Sequence, residues 1–226
     1  MDRDYSGWGL AGASAPIRLA QSPFFSTGEH ERQDIAPLTT ATMANGMIPA
    51  GYLYKRIVPR PAWLDGSPHI MDVRSISACM SPSYPEQFDH WRHNGCWLYD
   101  EPSIMHEIAH EDGVSLDGMT LFYYEIYPQK YSEATHSWSP IELSHRPMQV
   151  AIPPRRSLQG IDVNCASQRN APECSPLWCN GLCAELPVNE HCLFGSLDEA
   201  RSALEQGKFD NSEPGPFRIY AVYSVD

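Results

Sequence analysis

The chain has 226 residues, 42% of them hydrophobic and 19% charged, enough for one domain with a sizeable core or two small ones. Its net charge of -12 repels phosphate backbones and speaks against a nucleic-acid binder, while suiting a protein partner with a basic surface. No apolar run approaches the roughly 20 residues that a membrane span needs, and seven cysteines make no even disulfide framework, so reduced thiols in a cytoplasmic setting are expected.

Residues 1–47 are rich in Gly, Ala, Ser, Thr and Pro and lack sustained periodicity, which reads as a flexible N-terminal arm. The first residues carry acids and no apolar core, so no secretory signal is expected there. Residues 48–226 read as a single α+β domain with a mixed, largely antiparallel sheet and a few short packed helices.

In that domain "IPAGYLYKRIV" alternates as a strand does, with Tyr52, Tyr54 and Arg56 on one side and Leu53, Lys55 and Ile57 on the other. A second strand is expected from Ile70 to Ser77. "SYPEQFDHWRHNG" fits a helix opened by a Ser83/Glu86 capping box, with Phe88 and Trp91 on one face and Gly95 at its end. His90, Arg92 and His93 then crowd the C-terminal end, where the helix dipole favours cations. "CWLYD" reads as a short strand.

"EPSIMHEIAHEDG" follows as a helix with Pro102 in its first turn and Ile104, Met105, Ile108 and Ala109 as its apolar face. "TLFYYEIYP" is the clearest strand in the chain. The polar, Pro-interrupted segment from Gln129 to Gln159 reads as irregular. "CLFGS" reads as a strand, "LDEARSALEQG" as a helix capped by Ser196 with Glu199, and "FRIYAVYSV" as the closing strand.

"NGCWLYDEPSIMHEIA" and "NEHCLFGSLDEARSAL" align without a gap at an offset of 95, matching Asn94 to Asn189, Leu98 to Leu193 and Tyr99 to Phe194. Phe122 with Phe217 and Cys79 with Cys174 fall at the same offset. An internal duplication into two strand–helix–strand units accounts for the match. So does chance resemblance between common units, which the few identities slightly favour.

Three residue sets carry candidate chemistry. His106-Glu107-x-x-His110 resembles the helix of the zincin peptidases, in which two histidines bind zinc and the glutamate takes a proton from the metal-bound water. The resemblance covers this helix alone. Leu116 stands where the metzincin third ligand falls, and Asp117 is one place off. At about 100° per residue, His106 sits far round from Ile104 and Ile108, so both imidazoles are expected to face water.

Arg56, the Ser75-x-Ser77 pair and Glu125 resemble in their order the residues of the ADP-ribosyltransferases. That resemblance implies that the arginine and serine hold NAD while the glutamate polarises the ribose hydroxyl. Tyr123 stands where that family carries a second acid. Cys165, Cys174, Cys179, Cys183 and Cys192, with His191 beside them, admit several readings. They could be a structural zinc site, a reactive Cys179 thiol with His191 as base, a disulfide, or thiols buried as small apolar groups.

No Gly-rich phosphate loop is present. The expected function is therefore an acidic cytoplasmic binding module, of the toxin-neutralising or inhibitory kind, because an acidic surface steers onto a basic partner. The alternatives are an ADP-ribosyltransferase-like enzyme using Arg56, Ser75 and Glu125, and a zinc hydrolase using His106 and His110. Cofactor and oligomeric state are not readable from the sequence.

Overall fold

Alternating apolar and β-branched residues fold into a twisted antiparallel sheet, built by β1 (Ile48–Lys55), β4 (Thr120–Ser132), β7 (Phe217–Val225) and β6 (Arg156–Cys165) in that spatial order. A short strand, β5 (Ser137–Pro140), folds back on the end of β4. Two residues each of β2 (Val58–Pro59) and β3 (Asp72–Val73) form a separate ladder. The computed structural model describes residues 46–64, 66–77, 92–142, 149–166 and 172–226.

Two helices of similar length complete the α+β domain. α1 (Pro102–Asp112) buries Met105, Ile108 and Ala109, and its chain reverses at Gly113 in the left-handed conformation. α3 (Leu197–Glu205) buries Ala200, Ala203 and Leu204 against Val163, Phe194, Phe217 and Ile219. Half of the expected capping box forms, Glu199 N–H donating to Ser196 Oγ, while the Glu199 carboxylate accepts from Gly195 N–H, one residue before the N-cap.

The halves of the sheet repeat one another closely. β1 bulges at Ala50, between Pro49 opposite Glu125 and Gly51 opposite Tyr124. β6 bulges at Gln159, between Leu158 opposite Tyr223 and Gly160 opposite Val222. The glycine after each bulge has φ 138° or 145°. An asparagine amide donates to each bulged carbonyl: Asn94 Nδ2 to Ala50 O at 2.8 Å, and Asn189 Nδ2 to Gln159 O at 2.7 Å.

Each asparagine oxygen then accepts two backbone N–H groups, from Cys96 and Leu98 in one copy and from His191 and Leu193 in the other. Bridges Tyr52–Tyr99 and Ile161–Phe194 follow at matching places. Trp97 and Cys192, at the same position of the two loops, both take positive φ, 59° and 62°. Tyr124 and Val222, each opposite its glycine, pair with one another, so an approximate two-fold axis passes between them. Chance resemblance does not produce so specific a latch twice, and the geometry supports the duplication.

The match at offset 95 holds through the helix N-caps, Glu101 and Ser196, but not into the following strands. Strand register equates Phe122 with Tyr220, not with Phe217, because Phe122 faces Leu53 as Tyr220 faces Asp162. The Cys79 match and the Ser83/Glu86 helix lie outside the described residues.

Other expectations are corrected. The segment from Ile70 to Ser77 is extended only at Asp72–Val73. Its later polar groups bond to side chains instead: Lys55 Nζ donates to Ser75 O and Ser77 O, and Ile76 N–H donates to Asp162. "CWLYD" and "CLFGS" contribute single bridges, since the asparagine loops consume their backbone groups. The stretch from Gln129 to Gln159 is not all irregular: it holds the end of β4, all of β5 and the start of β6.

Candidate binding surface

The two histidines of α1 lie where the helical period puts them. His106, Glu107 and His110 are exposed, on the side of α1 away from buried Ile108. The Tyr54 hydroxyl meets His106 Nε2 at 3.0 Å, and Arg92 pairs with Glu107 at 3.0 Å and with Glu111 at 3.4 Å. Among the described residues no three His, Cys, Asp or Glu side chains are grouped so as to hold a metal, and none of them supplies the zincin-like pair with a third donor.

The transferase-like set is not brought together. Arg56 is exposed just past β1, its guanidinium near Gly118. Neighbouring residues of a strand face opposite sides of a sheet, and paired residues face the same side. Glu125 pairs with Ala221 and Asp162 with Tyr220, so the two acids point to opposite sides. Ser75 Oγ donates to Asp162 at 2.7 Å and thus belongs to the side away from Glu125.

On its own side Glu125 is buried and fully engaged. The Tyr223 hydroxyl donates to it at 2.8 Å, Tyr123 at 3.3 Å and the Arg156 guanidinium at 3.1 Å. Arg156 lies over both tyrosine rings, 5.2 and 5.1 Å from their centroids. Burial, then the hydrogen bond to Glu125, pushes the Tyr223 phenol up to about 12. Arg156 was missed in the sequence, because it opens a strand that Gly160 disguises.

Asp162 is fully buried in the opposite side. Ser75 and Ser175 hydroxyls and the Ile76 N–H donate to it, while Lys55 holds the carbonyls beside it. Burial raises its carboxyl, and the Ser175, Ser75 and Ile76 donors and Lys55 oppose that rise.

The cysteine segment contains the four-residue helix α2 (Pro176–Cys179), ended by Asn180 and by Gly181 at φ 71°. Cys165, Cys183 and Cys192 are buried, and the Cys192 thiol donates to Leu177 O at 3.9 Å. Burial pushes Cys165 up to about 12. His191 turns its Nδ1 to Asp72 Oδ1 at 2.7 Å. The Asp72 carboxylate is also bonded by Arg74.

The surface feature that no motif announced is the loop 60–71. Arg60 N–H donates to Met71 O at 3.0 Å and closes it, and Leu64 and Ile70 anchor it in the core. Trp63 and Met71 point outward, 53% and 71% exposed. Trp63 leans on buried Trp178, with ring centroids 5.1 Å apart, and covers Gly181. Met71 N–H donates to Glu190 O, which ties the loop to an acidic segment carrying Glu185 and Glu190.

No family model, curated protein or solved structure matches this chain. No helix among the described residues is long and apolar enough to cross a membrane.

Proposed function

We propose that the protein is an acidic protein-binding module whose docking surface is formed by residues 60–64 and 66–71. The observation that carries this reading is Trp63, half-exposed yet braced on Trp178 by a loop closed at both ends. A large aromatic held rigid at the surface loses little entropy when a partner covers it, and Trp and Met are enriched in interface cores. Glu190, whose carbonyl accepts from Met71 N–H, and the net charge of -12 favour a partner with a basic surface. Toxin neutralisation or inhibition is one use of such a surface, in which covering the partner is the whole activity.

Photo-crosslinking from a benzoylphenylalanine at Trp63 tests this, with the same probe at Glu111 on α1 as the comparison. The reading expects one partner of high isoelectric point captured from position 63 and not from 111, with the yield falling as salt rises. Equal capture from both positions overturns it. NAD cleavage that disappears in Glu125→Ala would replace it with the transferase, and stoichiometric zinc lost in His106→Ala would replace it with the hydrolase.

A further inference from the structure

The two similar units treat one groove differently. In the first, Arg92 stands two residues before Asn94 and reaches across to α1, where its guanidinium bonds Glu107 at 3.0 Å and Glu111 at 3.4 Å. At the offset of 95 these three residues become Pro187, Ser202 and Gln206. Pro187 has no arm to extend, and Gln206 Nε2 donates to Ser202 Oγ at 2.8 Å instead. At the place equivalent to the ion-pair cluster, the second unit has a cavity of about 390 Å³, and Pro187, Ser202 and Gln206 all line it.

Leu186, Phe194 and Ala203 give this cavity an apolar floor. Phe194 and Ala203 belong to the close-packed core, so the floor is rigid. Asp198 and Glu199, on the first turn of α3, form an acidic rim where the first unit has Ser103 and Ile104. The carboxylates of the groove thus stand about one turn nearer the helix N-terminus than Glu107 and Glu111 do. The Glu199 carboxylate is bonded by Gly195 N–H, whereas Asp198 makes no ion pair or side-chain hydrogen bond among the described residues. Lys208 lines the far end, past the last turn of α3, where the helix dipole favours a cation.

We propose that this cavity binds a small organic cation with an apolar body, an alkylamine or alkylguanidine, its body on Phe194 and Ala203 and its head at Asp198. The first unit uses that chemistry within the chain: a cation on an aliphatic stem lies between the same two segments and is held by carboxylates. The volume is that of a small-molecule site, and a mainly apolar floor with a few polar groups at the rim is how such sites orient a ligand. Two carboxylates against one ammonium in the lining select a cation over an anion. The cavity shares no residue with the docking surface, so either reading can fail without the other.

Calorimetric titration with phenylbutylamine tests this, with phenylbutanol and phenylbutyrate as its neutral and anionic matches. The amine is expected to bind saturably, at least about fivefold tighter than the alcohol and tighter still than the acid, as an ion pair near the surface allows. Asp198→Asn should lose most of that preference while binding the alcohol as the wild type does. Pro187→Arg, Ser202→Glu and Gln206→Glu together rebuild the plug of the first unit at three exposed positions. That triple variant should keep its melting temperature and lose the amine. The proposal is overturned by amine binding that does not saturate, by phenylbutyrate binding as tightly as the amine, or by amine affinity equal to the wild type in Asp198→Asn. Unchanged amine affinity in the folded triple variant overturns it as well.

Discussion

At the scale of single residues, two glycines decide whether the sheet can close. A Cβ on Gly51 would lie 2.7 Å from Leu98 Cβ and 2.8 Å from Tyr99 O, and one on Gly160 would lie 2.6 Å from Leu193 Cβ. Their φ values also lie where side chains rarely go. Gly51→Ala and Gly160→Ala should each cost about 3 kcal/mol or more in urea unfolding, whereas Gly66→Ala, with open space around it, should cost under about 1. Arg156 neutralises buried Glu125, so Arg156→Ala should cost about 3 kcal/mol, and the Arg156→Leu/Glu125→Leu pair clearly less than the two single changes added. Cys96 gives a pH prediction with a definite sign. Burial pushes its thiol up to about 12 from an ordinary 9.0. Between those values the unfolded chain releases a proton that the folded chain keeps. Stability contributed by this group is therefore complete below pH 9 and is lost as pH rises, by about 1.4 kcal/mol per pH unit. The unfolding free energy measured from pH 8 to 10.5 should fall less steeply in Cys96→Ala than in the wild type.

At the scale of elements, the structural motif is an asparagine that holds a bulge and caps the loop following it. Asn94→Ala and Asn189→Ala each remove three hydrogen bonds to backbone, Asn94→Ala also the one to Asp100, and should destabilise the fold by about 2–4 kcal/mol, measured by chemical unfolding. The elements whose pattern is local were legible: β1, β4 and β7 from alternation, α1 from its apolar spacing and α3 from its capping box. The outward turn of His106 and His110 followed from the same helical period. β6 was not legible because three polar or bulge-forming residues, Gln159, Asp162 and Asn164, and Gly160 interrupt its apolar run. Each makes sense only beside partners distant in sequence: Asn189 for the bulge, Ser75 and Ser175 for Asp162. Glu125 was singled out for its order after Arg56 and Ser75, whereas its burial, its companion Arg156 and the aromatic rings between them could not be read from one strand.

At the scale of the molecule, two similar strand–helix–strand units meet across Tyr124 and Val222 and differ in the residues they bury. Glu125 and Tyr223 occupy equivalent places yet bond to one another, so the pseudo-symmetry is broken where the charge is buried. The loop 60–71 packs against the segment around Trp178 and Glu190, which leads into the second asparagine loop. The acidic charge makes association salt-dependent at any such surface. The most direct measurement is a calorimetric titration of the partner captured at position 63 into the wild type and into Trp63→Ala and Met71→Ala. At least tenfold weaker binding in Trp63→Ala, with melting temperature unchanged, is the predicted result. Affinity equal to the wild type in both variants would contradict the account.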